Sequence, residues 1–379
     1  MLTYSVKPRG GVVHAIALSE ALAARGHEVE LFAVGPPGAA FFRAPAVPAN
    51  VVPHVAPDAP FDARIAATIA AYRDGLRARL AGGRFDVVHA QDCISANAAL
   101  ALRAQGAIPH VVRTVHHVDD FRSPSLVECQ RRSIAEPDRV VCVSRAWVAR
   151  LRAEFGVAAE VVGNGVDTER YRPPRDAAER RAARDAAGLN GRLAILTVGG
   201  IEPRKGSLTL LEAFAAARAA MPERRPLLLV AGGATLFDYR DEVERFHTRA
   251  EQLGLNGDLR ILGPVSDAQL ETLYRAADVF ALPSVKEGFG LVVLEALAAG
   301  LPAVLSDLDV FDEVLGDGES ALRAPVGDAP AFAAAIVRVA GSPTLAARLR
   351  AAGRAVAARH AWAPVGAAQE AVYEGLLAG

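Results

Sequence analysis

The sequence predicts an α/β chain made of two successive doubly wound domains, each a parallel sheet with helices on both faces. Three observations predict it. Its 379 residues exceed the size at which one hydrophobic core keeps growing, which favours two domains. Short runs apolar on both faces, such as "PHVVRTVH" and "RPLLLVAGG", read as strands of a buried parallel sheet. Those runs alternate with helical periodicity, and they do so twice, on either side of a proline-containing charged interruption.

In the first half, "MLTYSV" reads as a strand with Met1 already inside it, so the first β element is short. "GVVHAIALSEALAARG" follows as a helix stopped by Gly26, since glycine readily takes the left-handed conformation that ends helices. The strands "HEVELFAV", "FDVVHA", "PHVVRTVH", "RVVCVS" and "AEVVGNGVD" come next, with helices "SANAALALRAQG" and "RAWVARLRAEFG" between them. Residues 36 to 60 and 118 to 130 read as loops. Between Tyr171 and Leu189 lies "YRPPRDAAERRAARDAAG", read as a linker and a solvated helix. This places a first domain over 1–170 and a second over 187–360. In the second, "RLAILTVGG", "RPLLLVAGG", "LRILGPV", "DVFALPS" and "PAVLSD" are strands, with helices from "SLTLLEAFAAARAA", residues 239 to 253, "DAQLETLYRAA", "LVVLEALAAG" and residues 331 to 339.

Bulk composition narrows the function classes. The chain is 51% hydrophobic and 22% charged, with net charge −1 and mean hydropathy +0.20. That is a folded protein without the positive field that nucleic-acid binding leads one to expect, and it gives no support for membrane contact. The cysteines Cys93, Cys129 and Cys142 are odd in number and form no CxxC pair, so they read as free thiols in a reducing compartment. No apolar run is long enough to span a bilayer and the N-terminus lacks a leader pattern, so a cytoplasmic location is expected.

Chemistry is expected where strands end, because open α/β folds bind ligands at the carboxyl ends of their sheets, here in a cleft between the two domains. "SVKEGFGLVVLEALAAG" carries one carboxylate, Glu295, on an otherwise apolar helix. A helix apolar all round is buried, and a buried carboxylate needs donors, either from a neighbouring Arg or backbone amide or from ligand hydroxyls. Gly288 and Gly290 bracket Phe289 just before that helix, so the amides of Gly290, Leu291 and Val292 form a helix-end seat for an anion such as phosphate. Glu287 would repel a phosphate and is expected to reach past it toward hydroxyls. "TVGGIEPRKGSL" sets Gly200 beside Arg204 and Lys205 in a strand-to-helix loop, a cationic clamp for a diphosphate.

In the first half, "KPRGGVVH" places Gly10 and Gly11 in a second backbone-amide loop. It is not GxGxxG, and the second strand ends without the acidic residue a dinucleotide site needs. "RTVHHVDDF" puts His116 and His117 at a strand end with Asp119 following. Adjacent strand residues face opposite ways, so this spacing does not make a metal site, and no metal is expected.

These stretches together resemble the retaining GT-B glycosyltransferases of family 4 over essentially the whole chain. The most specific element is the Glu287 and Glu295 pair, which resembles that family's E-x7-E motif. "GGVVHAIALSEALAARGHEV", "VSRAW", "GNGVD", "GGIEPRKG" and "AADVFALPS" match in order, and "HAWAPVGAAQEAVYEGLL" resembles a terminal helix, about 361–379, that returns to the first domain. The resemblance implies a GT-B fold with a nucleotide-sugar donor, UDP-, GDP- or ADP-linked, on the second domain. The acceptor, a glycan, lipid or small metabolite, belongs to the first. By carry-over, Arg204 and Lys205 hold the diphosphate, Glu295 the ribose and Glu287 the transferred sugar. His116, or His117 one register on, lies near that sugar; Gly11 closes on the donor, and Gly10, His117 and Asp119 face the acceptor. It implies transfer with retention and with no cofactor or metal. Two departures stand out: "SDLDVFDE" puts Leu308 and Asp309 where the family often has two glycines, and the histidine is doubled. A sugar phosphorylase or nucleotide-sugar epimerase shares the fold, but a lysine-held cofactor would have to use Lys7, Lys205 or Lys286, the only lysines. An inactive sugar-nucleotide binder would not need both glutamates and both clamp cations.

Overall fold

A computed structural model describes residues 1–80, 85–121, 123–233, 239–316 and 319–379. The chain divides into two compact units, Met1–Gly165 with Trp362–Gly379, and Val166–Ala361.

In the first unit, seven parallel strands are paired among the described residues: β1 (Leu2–Thr3), β2 (Leu31–Gly35), β3 (Ala49–Pro53), β4 (Val88–Ala90), β5 (Val111–Val115), β6 (Arg139–Cys142) and β7 (Glu160–Val161). Their order is β3-β2-β1-β4-β5-β6-β7, reversing at β1 and β4. That reversal is where an α/β sheet opens a crevice. The β1 strand is as short as "MLTYSV" suggests, and helix Gly10–Ala23 follows it, with Gly26 at φ +96° beyond its end. Helix Cys93–Ala104 starts on a capping box in which Asp92 accepts from Ser95 N. Helix Trp362–Leu377 packs on helix Gly10–Ala23, with Gly366 over Ala21. The core gathers Leu2, Phe32, Leu100 and Tyr72, whose hydroxyl donates to Phe32 O at 2.8 Å.

In this unit three elements depart from the sequence reading. Part of the 36–60 stretch is β3, hidden by its flanking prolines, which an edge strand tolerates. Helix Phe61–Leu80 buries only Ile65, Tyr72, Leu76 and Leu80, so its apolar stripe is thin. Most of the 118–130 stretch is helix Pro124–Ala135, capped by Ser123 with Pro124 in its first turn; residue 122 of that stretch lies outside the described residues.

The second unit has the strands β8 (Ala194–Val198), β9 (Leu227–Ala231), β10 (Leu259–Gly263), β11 (Val279–Leu282), β12 (Ala303–Ser306) and β13 (Leu322–Ala324). They pair in parallel in the order β10-β9-β8-β11-β12-β13, reversing at β8 and β11. Phe214, Phe246, Phe332 and Ile195 fill its core. The charged run read as a linker and solvated helix packs within this unit instead. Helix Ala177–Ala186 lies on helix Asp267–Ala276, and Arg180 and Arg184 pair with Asp278 at 2.7 and 3.0 Å. The arginines that made the run look solvated tie it down, so the units divide at residues 165 and 166 rather than between Tyr171 and Leu189.

Candidate functional site

In the second unit the loops after β8 and β11 are stitched together. Past β8, Gly199 and Gly200 lead into a 3-10 turn, Pro203–Lys205, closed by Gly206 at φ +65°. A Cβ on Gly206 would stand 2.0 Å from Pro283 O, so only glycine lets this turn lie on the loop after β11. Arg204 O accepts from Val285 N at 2.8 Å, which fixes one loop against the other.

That stitching brings Arg204, Lys205 and Glu287 together. Lys205 Nζ donates to Glu287 Oε1 at 2.6 Å, and Ser284 Oγ donates to the same oxygen at 2.7 Å. Arg204 Nη1 lies 3.7 Å from Glu287 Oε2, while its Nε is 3.1 Å from Oε2 of the buried Glu202. Burial alone would push the Glu287 carboxyl up, but Lys205 and then Arg204 outweigh it and hold it below the usual value. The arrangement therefore differs from a bare cationic clamp: two cations meet two carboxylates. Glu287, expected to reach away from the phosphate seat, rests on Lys205 because a carboxylate only 6% exposed needs a charged partner. Gly200 lines a small cavity beside Lys205.

Gly290 caps helix Leu291–Ala298 in the left-handed conformation at φ +91°, and a Cβ there would meet Phe311 at 2.8 Å. The first amides of the helix, at Leu291 and Val292, have no acceptor one turn back within it. Gly288 forms the bend before it, and the Phe289 ring is buried edge-on to His360, which leaves its backbone as the part a ligand could approach.

Glu295 is buried on this helix, as its surroundings in the sequence suggest. Among the described residues its partners are neither an arginine in direct contact nor a backbone amide. Tyr274 Oη donates to Glu295 Oε2 at 2.9 Å, and Tyr171, ring-packed on Tyr274 at 5.6 Å, supplies a second phenol. Arg170 is nearby but pairs with Asp267 and Glu271 at 2.5 and 3.0 Å. Burial, with help from Asp267, pushes the Glu295 carboxyl up to about 7 against these donors. Sequence reasoning missed both tyrosines, since Tyr171 lies 124 positions from Glu295 and no local pattern connects them.

In the first unit the loops after β1, β4 and β5 converge. His116 Nε2 and Gln91 Oε1 are 2.9 Å apart, and the Gln91 amide nitrogen is turned to Met1 Sδ. Gln91 Oε1 is thus the acceptor, which puts the histidine's proton on Nε2 and leaves Nδ1 as an acceptor. Gly11 lies under the ring: a Cβ there would be 3.3 Å from His116 Cδ2. The buried His14 ring stands edge-on to His116 at 4.8 Å and hydrogen-bonds Asn164 through Nδ1. Burial, then His14, Arg113 and other neighbours, depresses His116 well below its usual value, so the ring is neutral at pH 7. His117 points elsewhere, with Nε2 3.2 Å from Asp119 Oδ1. Gly10 opens the helix after β1, and a Cβ there would meet nothing within 4 Å. Gln91, His14 and Asn164 were missed from sequence; "HAQD", running off the end of β4, was the available signal for Gln91. No group of three or more metal-ligating side chains occurs among the described residues.

Comparisons with known proteins agree with this architecture. The family described as glycosyltransferase family 4 matches residues 8–170, and that described as glycosyl transferases group 1 matches residues 179–356. The chain is 33% identical to a D-inositol 3-phosphate glycosyltransferase of Saccharomonospora viridis, over 74% of this chain and 68% of that protein. It is 30% identical to a phosphatidyl-myo-inositol mannosyltransferase of Mycobacterium leprae, over 98% and 94%. Among solved structures, a sucrose-phosphate synthase from Thermosynechococcus elongatus superposes with TM-score 0.81 at 24% identity, over 100% and 98% of the two chains. HepE of Anabaena, crystallised with UDP and glucose, superposes with TM-score 0.79 at 20% identity, over 98% of each chain. Paired α/β units of this topology, with both family matches in sequence order, make this chain a GT-B glycosyltransferase belonging to the group 1, family 4 enzymes.

Proposed function

We propose that this enzyme transfers a sugar from a nucleotide-diphosphate sugar to a hydroxyl acceptor, with retention of anomeric configuration and without a metal. The observation that carries the reading is the joined loop pair of the second unit, where Arg204, Lys205 and Glu287 meet before the helix bearing Glu295. On this reading Lys205 and Arg204, with the amides of Gly290, Leu291 and Val292, take the diphosphate. Gly200, Gly288 and the Phe289 backbone line its approach. Glu295 accepts from ribose hydroxyls and Glu287 from hydroxyls of the transferred sugar. The first unit takes the acceptor through the Gly10, His117 and Asp119 side, and Gly11 and His116 face the transferred sugar. Being neutral, His116 serves as a hydrogen-bond partner for a sugar hydroxyl rather than as a general acid.

Charge builds on the departing diphosphate as the anomeric carbon–oxygen bond breaks, and preorganised cations lower that barrier most. Lys205 and Arg204 offer that stabilisation, which supports a reaction needing no metal. The acceptor oxygen bonds to the anomeric carbon on the face the phosphate leaves, and its proton passes to the leaving phosphate oxygen. The names of the inositol-directed relatives, and the UDP and glucose in the HepE crystal, support a nucleotide-sugar donor and a polyol or lipid-linked polyol acceptor.

The test is calorimetric titration with UDP-, GDP- and ADP-sugars. Selective binding of one names the donor; failure of all of them to bind refutes the reading. Glu295→Ala should weaken binding of the bare nucleoside diphosphate, while Glu287→Ala, which frees Lys205, should not weaken it but should depress transfer. Equal loss from both would contradict these separate roles.

A further inference from the structure

Glu295 is only 7% exposed, and the group that holds its carboxylate is a phenol. Tyr274 Oη donates to Glu295 Oε2 at 2.9 Å and stands 3.3 Å from Val292 O, one turn back on the same helix. A phenol has a single proton, and the shorter contact gives it to the carboxylate. The Tyr274 ring is itself fixed, with the Tyr171 ring edge-on at 5.6 Å and the Phe280 ring at 6.2 Å. Tyr171 adds a second, smaller hydrogen-bond contribution to Glu295.

Buried carboxylates are usually met by a cation, and one is close by. Arg170, however, is spent elsewhere: it pairs with Asp267 at 2.5 Å and Glu271 at 3.0 Å, and lies over the Tyr171 ring at 5.3 Å. A guanidinium in contact would occupy both oxygens of Glu295 and neutralise it, whereas a phenol takes one lone pair and leaves the charge. The groups that bear on that charge are Tyr274 and Asp267 on helix Asp267–Ala276, and Arg170 and Tyr171 ahead of helix Ala177–Ala186. Helix Pro343–Arg359 also packs on the Glu295 helix, with Gly353 against Leu297; there Arg350 has Arg180 and Asp278 as its charged neighbours, and Arg354 lies by Gly300. Burial pushes the Glu295 carboxyl up to about 7, and the Tyr274 hydrogen bond is the largest influence opposing it, ahead of Arg170.

We propose that Tyr274, seconded by Tyr171, is a positioning residue for donor recognition: it holds the Glu295 carboxylate in place for ribose hydroxyls without neutralising it. The assignment deepens the functional reading above and rests on it for the ribose; the hold of the phenols on Glu295 does not depend on it. Tyr274 touches no reacting atom and acts through Glu295. Its hydroxyl favours the ionised form, which is the form that accepts from hydroxyls, so removing it should move donor binding to higher pH.

The test is calorimetry at pH 6, 7, 8 and 9 with UDP-glucose, GDP-mannose and ADP-glucose, on wild type, Tyr274→Phe, Tyr171→Phe and each of these with Glu295→Gln. One hydrogen bond to an ionised carboxylate is worth about tenfold in its acid dissociation. In Tyr274→Phe the tightest of the three ligands should therefore bind about tenfold more weakly than to wild type at pH 6, and within about twofold at pH 9. Tyr171→Phe should move the pH midpoint of binding upward by less. With Glu295→Gln present, neither phenylalanine should change the pH profile. A loss of the same factor at every pH would mark Tyr274 as structural, and a midpoint unmoved in both phenylalanine variants would mean that the phenols do not govern Glu295; either result overturns the proposal. Binding of none of the three ligands to wild type refutes the donor reading by itself, and the hold on Glu295 is then decided by urea denaturation without ligand. The folded pKa of the carboxyl lies above the unfolded one and rises further in Tyr274→Phe, so that variant loses more stability as pH rises through 7. Its deficit from wild type should widen about tenfold in the folding equilibrium constant between pH 6 and pH 9, and a constant deficit overturns the proposal.

Discussion

Replacing Glu295 with glutamine tests whether its burial has the cost the surroundings imply. Its carboxyl rises from 4.5 to about 7, so keeping it ionised costs the folded second unit about 3 kcal/mol. The folded pKa lies above the unfolded one, so folding favours the protonated form. That contribution to stability is fully present below about pH 4.5 and is lost as the pH rises through about 7. Burial keeps the phenols of Tyr171 and Tyr274 protonated throughout this window. Glutamine still offers Tyr274 Oη an acceptor and cannot ionise. The stability of Glu295→Gln over wild type should therefore grow from about 1 kcal/mol at pH 5 to about 3 kcal/mol at pH 8. Urea denaturation of both proteins at pH 5, 6, 7 and 8 reads this directly, because every other titrating group cancels in the difference. A difference that stays constant across the series would show that Glu295 is not the group that titrates. On the proposed reading, nucleotide binding to the wild type should also strengthen as pH rises through 7, since ribose hydroxyls donate best to the ionised carboxylate.

Two other substitutions follow from contacts at the two loop clusters. Gly11→Ala places a Cβ 3.3 Å from His116 Cδ2 and 3.4 Å from its Nε2, so the ring must shift from Gln91; transfer should fall tenfold or more at a stability cost of about 1 kcal/mol, and steady-state rates equal to wild type would refute the placement. Lys205→Met leaves the buried Glu287 with Ser284 and a distant Arg204, a loss of about 3–5 kcal/mol that adding Glu287→Gln should largely restore; additive losses in a double-mutant cycle by urea denaturation would show the pair is not coupled.

The architecture was legible because parallel strands buried on both faces announce themselves locally: "RPLLLVAGG" and "DVFALPS" each contain their strand whole. What escaped notice was polar or proline-bounded. Helix Phe61–Leu80 hides a narrow buried stripe in a charged sequence, and β3 is bracketed by prolines that an edge strand permits. At the site, loop residues such as Lys205 and Glu287 could be singled out by type and by their place after strands. Their partners could not, because pairing depends on which strands are neighbours: β8 lies against β11 although two other strands, β9 and β10, come between them in the chain. For the same reason the sequence suggested a carboxylate in need of donors at 295, and only the fold identified them as phenols rather than a guanidinium.

The neutrality of the Arg204, Lys205, Glu202 and Glu287 cluster bears on what the proposed donor must offer. Glu202 is 4% exposed, with its amide held by Ser207 Oγ at 3.1 Å, so Arg204 keeps a fixed carboxylate whether or not a ligand is present. Lys205 has no such second anchor among the described residues: a phosphate that takes it must draw it from Glu287, 2.6 Å away. A diphosphate alone would then strand a buried carboxylate with one serine and an arginine at 3.7 Å. A nucleotide sugar supplies both parts of the exchange, phosphate oxygens for Lys205 and sugar hydroxyls for Glu287. The ion pair thus makes the intact donor a better fit than its leaving group, and the same pair can re-form as the diphosphate departs, which favours release of the product over its retention.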